Sequence, residues 1–569
     1  MSGYTGKAIR VDLTKKDISI YRVPQELYDE FLGGRGIGVA MVSDYITSDY
    51  DSPDMPLIFA TGPLVGTPSI TSGRMAVVSK SPLTGTVFDC SVGGHFAKRL
   101  KKAGFDLIEI KGISDEWVTL NIQNDHISLE KAAHFAGKNI SELKNPQDKD
   151  VSYAAIGLAG EKQVRFASII FDGHYSAGRG GLGAVMGAKR LKAIYVSGNK
   201  KFTVCDPERL KEANNGVIRL LRSSPAIFGE FGLSEFGTAA LVDLIHARRM
   251  EPTENFRRTF FPEAAGYSGY NLKKQFNAKK IGCSGCPILC KKIGRNGEII
   301  PEFETVSHFG ALNSCSDVLT IVKANEICNE YGMDTISSAS TIACYSEINR
   351  QSFSPEDIIN LLMQIGNRSS KGNILAEGSL RYASSAGYPE LSMSVKGLEL
   401  PAYDPRGAYG MALSYATSNR GGCHLRAYPI SHEILRKPVA TNRFSFEGKA
   451  RMIKIAEDIN AVIDSLTACK FVFFAAGLEE YSRVLNAVTG TAHDVQSLLK
   501  IGERIWNLER RLNELNGFNI KHDDLPQRFF TEEGSSDQKI KIPPIDRDEF
   551  LKARDNYHRI RGYSSDEKS

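Results

Sequence analysis

The sequence of 569 residues lacks the features that mark membrane and secreted proteins. No uninterrupted apolar run approaches the roughly 18 residues that a membrane-spanning helix requires. The first nine residues contain no basic stretch followed by an apolar one, which a secretory signal would need. These absences predict a cytoplasmic protein with no membrane span.

A large excess of charge of one sign is also missing. There are 71 Lys and Arg residues against 66 Asp and Glu residues, a formal net charge of +5. The basic clusters are short and have no stacking aromatic residues between them, so the sequence predicts no nucleic-acid partner. A slightly basic surface could help to dock an acidic electron carrier, but an ordinary solvated surface explains the same charge.

Glycine, in contrast, is abundant, with 52 residues that concentrate in the first 200 positions. Such clustering predicts many tight turns or a backbone that lies against a large ligand. Three stretches combine Gly with Arg or small residues, at 72–74, 91–94 and 178–183, and together they favour a bulky anionic cofactor. A fourth stretch, 33–38, follows a predicted helix rather than a strand, so we interpret its first glycines as a helix end and not as a dinucleotide fingerprint.

Hydrophobic periodicity divides the chain into three parts. Residues 1–203 predict short strands separated by Gly turns, beginning with a hairpin over 7–22. Residues 204–395 and 396–569 have mainly helical spacing, the latter after a Gly-rich and Tyr-rich loop region. The pattern predicts an α+β fold in which an N-terminal sheet-rich domain precedes two mainly α-helical domains with these bounds. Further predicted strands are 57–61, 75–79, 107–111, 117–122, 164–170 and 193–197, and predicted helices are 206–222, 320–331, 355–365, 449–466 and 495–515.

Cysteine supplies the sharpest motif, Cys283-Ser-Gly-Cys286-Pro-Ile-Leu-Cys290. Three thiolates at these short spacings can converge on an iron–sulfur cubane, which needs four soft ligands, and Cys469 is the candidate for the fourth. A zinc site usually takes two Cys-x-x-Cys pairs, or one such pair with a His pair, and only one pair occurs here. The other six cysteines are interpreted as small apolar fillers: Cys90, Cys205, Cys315, Cys328, Cys344 and Cys423.

Candidate acid–base residues follow the cysteine motif. Glu302 and Glu304 lie a dozen residues after it, and His424 lies in a Gly-rich loop that could expose its side chain. A lone Glu is usually a solvated surface residue and a lone His is usually a satisfied core residue, so the residues alone leave their roles open.

In this order, the motifs resemble the tungsten-containing aldehyde:ferredoxin oxidoreductase family over nearly the whole chain. The matching stretches are GKAIRVDL near the start, ATGPL at 60–64, SPLTG at 81–85, AGRGG at 177–181, GAVMG at 183–187, GMDTIS at 332–337, LELPAYDPRG at 398–407 and RGGCH at 420–424. The resemblance implies that the N-terminal domain is a base for two pterin cofactors that share one tungsten. The two helical domains would cover the pterins and frame a substrate channel.

The resemblance also implies roles for individual residues. Cys283, Cys286, Cys290 and Cys469 would hold a 4Fe-4S cluster. Glu304 and His424 would be the catalytic pair near the metal. The residues expected to bind the pterins, their phosphates and a magnesium ion are Arg74, Ser91, Gly93, Ser176, Ala177, Gly178, Arg179, Asn329, Met333, Asp334, Arg420, Asp464 and Ala468.

Some positions depart from the family pattern. Asn329 stands where an Asp is often found, and Tyr175 stands where an Arg would contact a phosphate. Residues 323–326 read Lys-Ala-Asn-Glu in place of a Glu-x-x-His that anchors a metal at one member's dimer interface. We therefore predict no bridging metal, and the sequence is compatible with a homodimer.

The activity implied by the resemblance is oxidation of aldehydes to carboxylic acids at a tungsten (or molybdenum) bis-pterin centre. The metal would polarise the aldehyde, Glu304 would act as general base, and His424 would donate a hydrogen bond to the substrate oxygen. Electrons would leave through the cluster to ferredoxin or a similar carrier.

Three alternatives stay open. The same fold could act on a hydroxy or oxo acid or on an aromatic acyl thioester. The chain could instead be an iron–sulfur electron-transfer subunit that binds no pterin, although such a carrier has no need of the Gly–Arg loops. A zinc-stabilised scaffold without catalysis is the third.

Overall fold

The computed structural model describes residues 2–144, 150–537 and 539–563. Two six-stranded sheets occupy the first 200 residues, and the rest of the described chain is mainly helical. The predicted α+β fold is confirmed, while the domain boundaries at 203/204 and 395/396 stay predictions. Among the described residues, we find no helix with the length and hydropathy of a membrane span.

The two sheets are formed by consecutive sets of strands. The first sheet has the order β2-β1-β6-β3-β4-β5 and consists of β1 (Lys7–Asp12), β2 (Asp17–Arg22), β3 (Leu57–Ala60), β4 (Met75–Lys80), β5 (Val87–Val92) and β6 (Leu107–Lys111). The second has the order β8-β7-β12-β9-β10-β11 and consists of β7 (Val118–Gln123), β8 (His126–Lys131), β9 (Ser152–Ala155), β10 (Ile169–Phe171), β11 (Tyr175–Ala177) and β12 (Leu191–Ser197).

These two strand orders are one topology used twice. In each sheet the first and last strands of the set pair in parallel, β1 with β6 and β7 with β12, and all other neighbours are antiparallel. Each set also inserts a helix before its last strand. The first 200 residues therefore contain a structural repeat.

The strand register shows which loop residues correspond between the two copies. Met75, the first residue of β4, pairs with Val92, the last residue of β5. In the second copy Ile169, the first residue of β10, pairs in the same way with Ala177, the last residue of β11. The residues that follow, Gly93 and Gly178, are therefore equivalent. Two of the Gly-rich stretches seen in the sequence are the same loop in two copies.

Helices flank these sheets. They are α1 (Gln25–Phe31), α2 (Gly34–Val42), α3 (Phe96–Ala103), α4 (Leu158–Glu161) and α5 (Leu182–Ala188). Residues 33–38 do follow a helix end, but they also begin α2, which packs on β4. The glycines allow this contact, because a Cβ at Gly38 would lie only 2.4 Å from a methyl carbon of Val78.

The remainder of the described chain is built mainly of helices with two short hairpins. The hairpins are β13 (Lys279–Ile281) with β14 (Lys291–Ile293) and β15 (Ser394–Val395) with β16 (Leu398–Glu399). The helices are α6 (Pro207–Ser223), α7 (Pro225–Phe228), α8 (Leu233–Phe236), α9 (Leu241–Ala247), α10 (Gly269–Phe276), α11 (Phe303–Phe309), α12 (Val318–Tyr331), α13 (Thr335–Asn349), α14 (Pro355–Asn367), α15 (Gly372–Leu375), α16 (Ser379–Ser385), α17 (Tyr409–Thr417), α18 (Ile430–Glu433), α19 (Lys449–Leu466), α20 (Leu478–Thr489), α21 (Val495–Leu515), α22 (Arg528–Thr531) and α23 (Arg547–Arg561).

Most predicted elements are confirmed, including the hairpin over 7–22 and the five predicted helices. The predicted strand 164–170 is wrong, since only its last two residues enter β10. The chain turns at its start, where Ala167 N donates to Val164 O at 2.8 Å, and Ala167 then forms an isolated bridge with Met333. This apolar run is therefore paired with the turn between α12 and α13 rather than with a strand.

Candidate functional site

A cavity of about 340 Å³ lies where the repeated loops meet the helical part of the chain. It is lined by the ends of both β-hairpin copies, the loop between β13 and β14, the first turns of α11 and α13, and segments near 420–428 and 464–471. Of the predicted site residues, only Ala177 and Ala468 are not at its surface, and both are fully buried. The structure therefore brings together residues from all three parts of the sequence.

The four predicted cluster ligands lie along one wall of this cavity. Cys283, Cys286 and Cys290 belong to the loop between β13 and β14, and Cys469 follows the C-terminal end of α19. Burial, together with the nearby Cys469, raises the pKa of Cys286 to about 12. Binding of iron would therefore have to displace the proton of this thiol.

Backbone contacts fix the two cysteine segments against two loops of the first sheet, the one between β3 and β4 and the one after β5. Thr71 N donates to Gly285 O at 3.3 Å, and Thr71 O accepts from Cys469 N at 2.9 Å. Ser284 N donates to Gly94 O at 3.2 Å. The described residues contain no group of three or more His, Cys, Asp or Glu side chains arranged around a single metal ion. The four thiolates of a cubane each bind a different iron atom, so they need not converge on one point as the ligands of a single ion do.

The glycines beside the cysteine loop are required by its close approach. A Cβ at Gly93 would lie 2.4 Å from Cys283 Sγ, and a Cβ at Gly73 would lie 2.5 Å from Ser284 O. Arg74 lies beside Gly93, and its guanidinium donates to Ser91 Oγ at 2.8 Å. Burial alone would lower the pKa of Arg74, but the thiols of the cysteine wall raise it. Arg74 is thus a cation held between the cysteines and the cavity.

Arg179 joins the second repeat loop to both helical segments. Its guanidinium donates to Gly422 O at 2.9 Å and to Glu399 O at 2.6 Å, and its Nε lies 3.4 Å from Asp334 Oδ2. Asp334 is in turn the N-cap of α13 and accepts from backbone N–H groups of its first turn. Arg179, the predicted phosphate contact, and Asp334, the predicted pterin contact, are therefore linked to each other.

The end of α19 reaches the cavity because Gly33, Gly34 and Gly62 of the first repeat leave room for it. A Cβ at Gly34 would lie 2.4 Å from Asp464 O, and a Cβ at Gly62 would lie 2.5 Å from Leu466 O. The Asp464 carboxylate pairs with Lys470 at 2.5 Å, while its Oδ1 is buried without a hydrogen-bond partner. These contacts place Asp464 at the cavity surface.

Glu304 and His424 face each other inside the cavity. Glu304 lies in the first turn of α11, its Oε2 accepts from Ala402 N at 2.8 Å, and its Oε1 lies 3.5 Å from His424 Nε2. Burial raises the pKa of Glu304 to about 8 and lowers the pKa of His424. At neutral pH the pair is therefore a protonated carboxyl beside a neutral imidazole, which can exchange one proton with a bound molecule.

The second candidate glutamate lies elsewhere. Glu302 forms an ion pair with Lys291 at 3.1 Å, on the side of the cavity that carries the cysteines. The residues alone left both glutamates open and the family resemblance favoured Glu304; in the structure Glu304 lies beside His424 and Glu302 pairs with Lys291.

Two tyrosines that we did not single out from the sequence complete the surroundings of His424. The hydroxyl groups of Tyr403 and Tyr428 lie 3.0 Å apart, and each ring centroid is about 6 Å from that of His424. Tyr428 has a φ of +55°, a strained value for a non-glycine residue that often accompanies function. Their signal in the sequence was the Tyr-rich loop region after residue 396.

Several buried polar atoms at the cavity have no partner within the described chain. They are His174 Nε2, Glu304 Oε1, His424 Nδ1, Arg426 Nε and Asp464 Oδ1. Buried polar groups are normally hydrogen-bonded, so this set fits a bulky ligand that carries its own donors and acceptors. The Gly-lined loops and the cations Arg74 and Arg179 fit a ligand with phosphate groups.

Comparisons with known proteins agree over the whole chain. Residues 8–198 match the family model described as "Aldehyde ferredoxin oxidoreductase, N-terminal domain", and residues 212–567 match "Aldehyde ferredoxin oxidoreductase, domains 2 & 3". The chain is 39% identical to the tungsten-containing aldehyde ferredoxin oxidoreductase of Pyrococcus furiosus, covering 100% of this chain and 98% of that protein. It is 37% identical to the protein of the same name in Thermococcus kodakarensis, covering 100% and 97%.

Two more distant matches carry other descriptions. A protein of Pyrococcus furiosus named "Aliphatic sulfonate oxidoreductase, WOR-like subunit" is 28% identical, covering 99% of this chain and 95% of that protein. Among solved structures, the active site complex BamBC of benzoyl coenzyme A reductase superposes with a TM-score of 0.85 at 23% identity, covering 99% of this chain and 95% of that chain. This last likeness concerns the fold alone.

Proposed function

Because this chain belongs to the aldehyde ferredoxin oxidoreductase family, we propose that it oxidises aldehydes to carboxylic acids at a tungsten (or molybdenum) bis-pterin centre. The observation that carries the proposal is the Glu304–His424 pair, whose unpartnered atoms open into the same cavity as the four cysteines. The metal-pterin group, when bound, supplies Lewis acidity and two-electron redox chemistry.

The repeated loops are the proposed cradle for the two pterins. Ser91 with Gly93 and Ser176 with Gly178 are equivalent in the two copies, which suits a cofactor with two similar halves. Arg74 and Arg179 supply positive charge for the phosphates, and we place the proposed magnesium ion between these loops. The other proposed pterin contacts are Asn329, Met333, Asp334, Arg420 and Asp464, all at the cavity surface.

Glu304 and His424 are proposed to handle the proton and orient the aldehyde. The deprotonated Glu304 carboxylate takes a proton from water or from the hydrated aldehyde, because its Oε1 faces the cavity. His424 is a neutral imidazole, so its N–H donates a hydrogen bond to the substrate oxygen without adding charge. Tyr403 and Tyr428 limit the space beside the pair.

The electrons are proposed to leave through a 4Fe-4S cluster on the four cysteines to ferredoxin or a similar acidic carrier. Phe236 is followed by Gly237, which packs so closely on Cys290 that an added Cβ would lie 2.6 Å from its carbonyl oxygen. Phe231, 72% exposed, stacks on Phe236, and the exposed Lys279 lies on the neighbouring strand β13. An apolar and basic surface next to the cluster loop suits a small acidic protein.

The activity should depend on the ionisation of Glu304. A general base works only when deprotonated, and burial raises the pKa of this carboxyl to about 8. We therefore expect kcat/KM for aldehyde to rise with pH up to about 8 and to level off above it. A pH profile with a dye acceptor measures this, with circular dichroism at each pH as the control for folding. A profile that is flat from mildly acidic to alkaline pH would contradict the role of Glu304.

Metal analysis of anaerobically purified protein tests the function as a whole. We expect about one tungsten or molybdenum and about four irons per chain, with aldehyde-dependent reduction of a dye and then of ferredoxin. Iron without either heavy metal, from a host that makes the pterin, would favour an electron-transfer subunit, and zinc alone would favour a scaffold. Reduction of the dye but not of ferredoxin would leave aldehyde oxidation standing and remove the proposed carrier.

A further inference from the structure

The sulfur of Cys423 is surrounded by N–H donors. Arg420 NH2 lies 2.9 Å and Arg420 Nε 3.3 Å from Cys423 Sγ, and the backbone N–H of Leu425 lies 3.3 Å from it. The side chain is completely buried. The interpretation of Cys423 as an apolar filler is therefore wrong, since three donors converge on its sulfur as they would on an anion.

Other buried cysteines of the chain behave differently. Cys90 donates its own S–H to Arg179 O at 3.2 Å, and burial raises the pKa of both Cys90 and Cys344 to about 12. At Cys423 burial acts in the same direction, but the guanidinium groups around it outweigh burial and lower the pKa to about 7. The difference lies in the surroundings, because all three side chains are buried.

The charges around Cys423 leave one cation without a carboxylate. Arg426 pairs with Asp89, and Arg179 pairs with Asp334. Arg420 forms no ion pair with an acidic side chain in the part of the chain that the structure describes. Its guanidinium contacts the Cys423 sulfur, the backbone oxygen of Asp89 and the ring face of Phe88, and the Asp89 carboxylate, which is paired with Arg426, acts on it at longer range. A buried cation of this kind is costly unless an anion is nearby. The sulfur of Cys423 is the atom in place to supply that charge.

We propose that Cys423 is a buried thiolate that positions Arg420 at the cavity wall and sets the charge beside Glu304. Only the expected effect of the thiolate on catalysis rests on the proposed function. Cys423 is a positioning residue, since it does not line the cavity, whereas Arg420 and the next residue, His424, do.

The thiolate acts on Glu304 through its charge. A negative sulfur disfavours ionisation of the carboxyl and so makes Glu304 a stronger base, together with its burial. Other charged groups facing this region act as well: Arg179 favours ionisation of Glu304, and Asp334 disfavours it. Removing only the charge of Cys423 should therefore shift the pH dependence without removing the base.

The ionisation state of Cys423 can be measured by infrared spectroscopy of the S–H stretch on the holoenzyme. At mildly alkaline pH, the difference spectrum between wild type and Cys423→Ser should contain no lost S–H band, whereas the matched control Cys344→Ser should lose one. Acidification of the wild type through about pH 7 should add one S–H band. Loss of an S–H band in Cys423→Ser would identify a neutral thiol and overturn the proposal, whether or not the protein oxidises aldehydes.

Kinetics then test the consequence for catalysis. Cys423→Ser keeps the size but not the charge, so the rise of kcat/KM with pH should move to lower pH by about one unit, and Cys423→Asp should move it back. A purely structural role would lower activity in both variants without moving the profile. If Cys423→Ser does not fold, the infrared titration of the wild type and the profile of Cys423→Asp still decide. Wild type without any aldehyde activity but with the expected infrared result would reject the proposed function and keep the thiolate.

Discussion

Replacing Glu304 by Gln is expected to lower kcat/KM for aldehyde by about 10²–10⁴-fold, the range typical for loss of a general base. The amide of Gln can still accept from Ala402 N, as Glu304 Oε2 does at 2.8 Å, so the first turn of α11 should keep its position. It cannot take up a proton, because an amide is not basic at any relevant pH. The loss should therefore appear in turnover, with tungsten or molybdenum and iron contents equal to those of the wild type.

Glu302→Gln provides a matched control two residues away. Glu302 pairs with Lys291 and does not contact His424, so its replacement should change activity far less. Equal losses in the two variants would point to a general weakening of this segment. Wild-type turnover in Glu304→Gln would remove Glu304 from the mechanism. If kcat/KM of Glu304→Gln no longer rises near pH 8, the assignment of Glu304 as the base is supported.

Replacing Cys286 by Ala is expected to abolish the iron–sulfur cluster and, with it, transfer of electrons to a protein acceptor. Four thiolates hold a cubane, and a methyl group cannot replace one of them. The same four residues lie on two segments, the β13–β14 loop and the end of α19, which meet through Thr71. Loss of the cluster should therefore also weaken the contact between these segments. Iron content and the visible spectrum measure the cluster, ferredoxin reduction measures electron transfer, and thermal unfolding measures the contact between the segments.

Cys344→Ala is the control for this variant. It removes a buried thiol that lies in α13 and does not line the cavity, so it should keep about four irons per chain. A cluster spectrum of wild-type intensity in Cys286→Ala would refute Cys286 as a ligand. Retained heavy metal with lost iron would show that the pterin site and the cluster site load independently.

The sequence revealed those parts of the site that depend on local spacing. The three cysteines of one loop could be recognised without a structure, because two and three intervening residues already bring their thiols together. The repeated glycines pointed to a ligand, since close approach of the backbone requires them. Cys469, Glu304 and His424 could be named from the residues only as candidates, and the family resemblance gave them roles, because little in their own neighbourhood distinguishes them from ordinary residues.

Long-range contacts explain what the sequence did not reveal. Cys423 looked like an apolar filler, although it lies three residues from Arg420, because the direction of a guanidinium cannot be read from spacing. Tyr403 and Tyr428 meet only through the fold of two loops. The strand predicted over 164–170 failed for a related reason, since its apolar residues are covered by the turn before α13 and not by a neighbouring strand. The structural repeat appears in the strand order and not in the sequence motifs.

The two copies of the structural repeat differ at one position beside the cavity. The loops at Gly93 and Gly178 kept the same small residues in both copies, as a ligand with two like halves would demand. At the position before the fourth strand of each set, the first copy has Arg74 against the cysteine wall and the second has Ser168, which donates to Gly178 O. The two loops are alike, but only the first copy presents an arginine to the cysteine wall. One side of the cavity therefore differs from the other in charge, although the strands around it repeat.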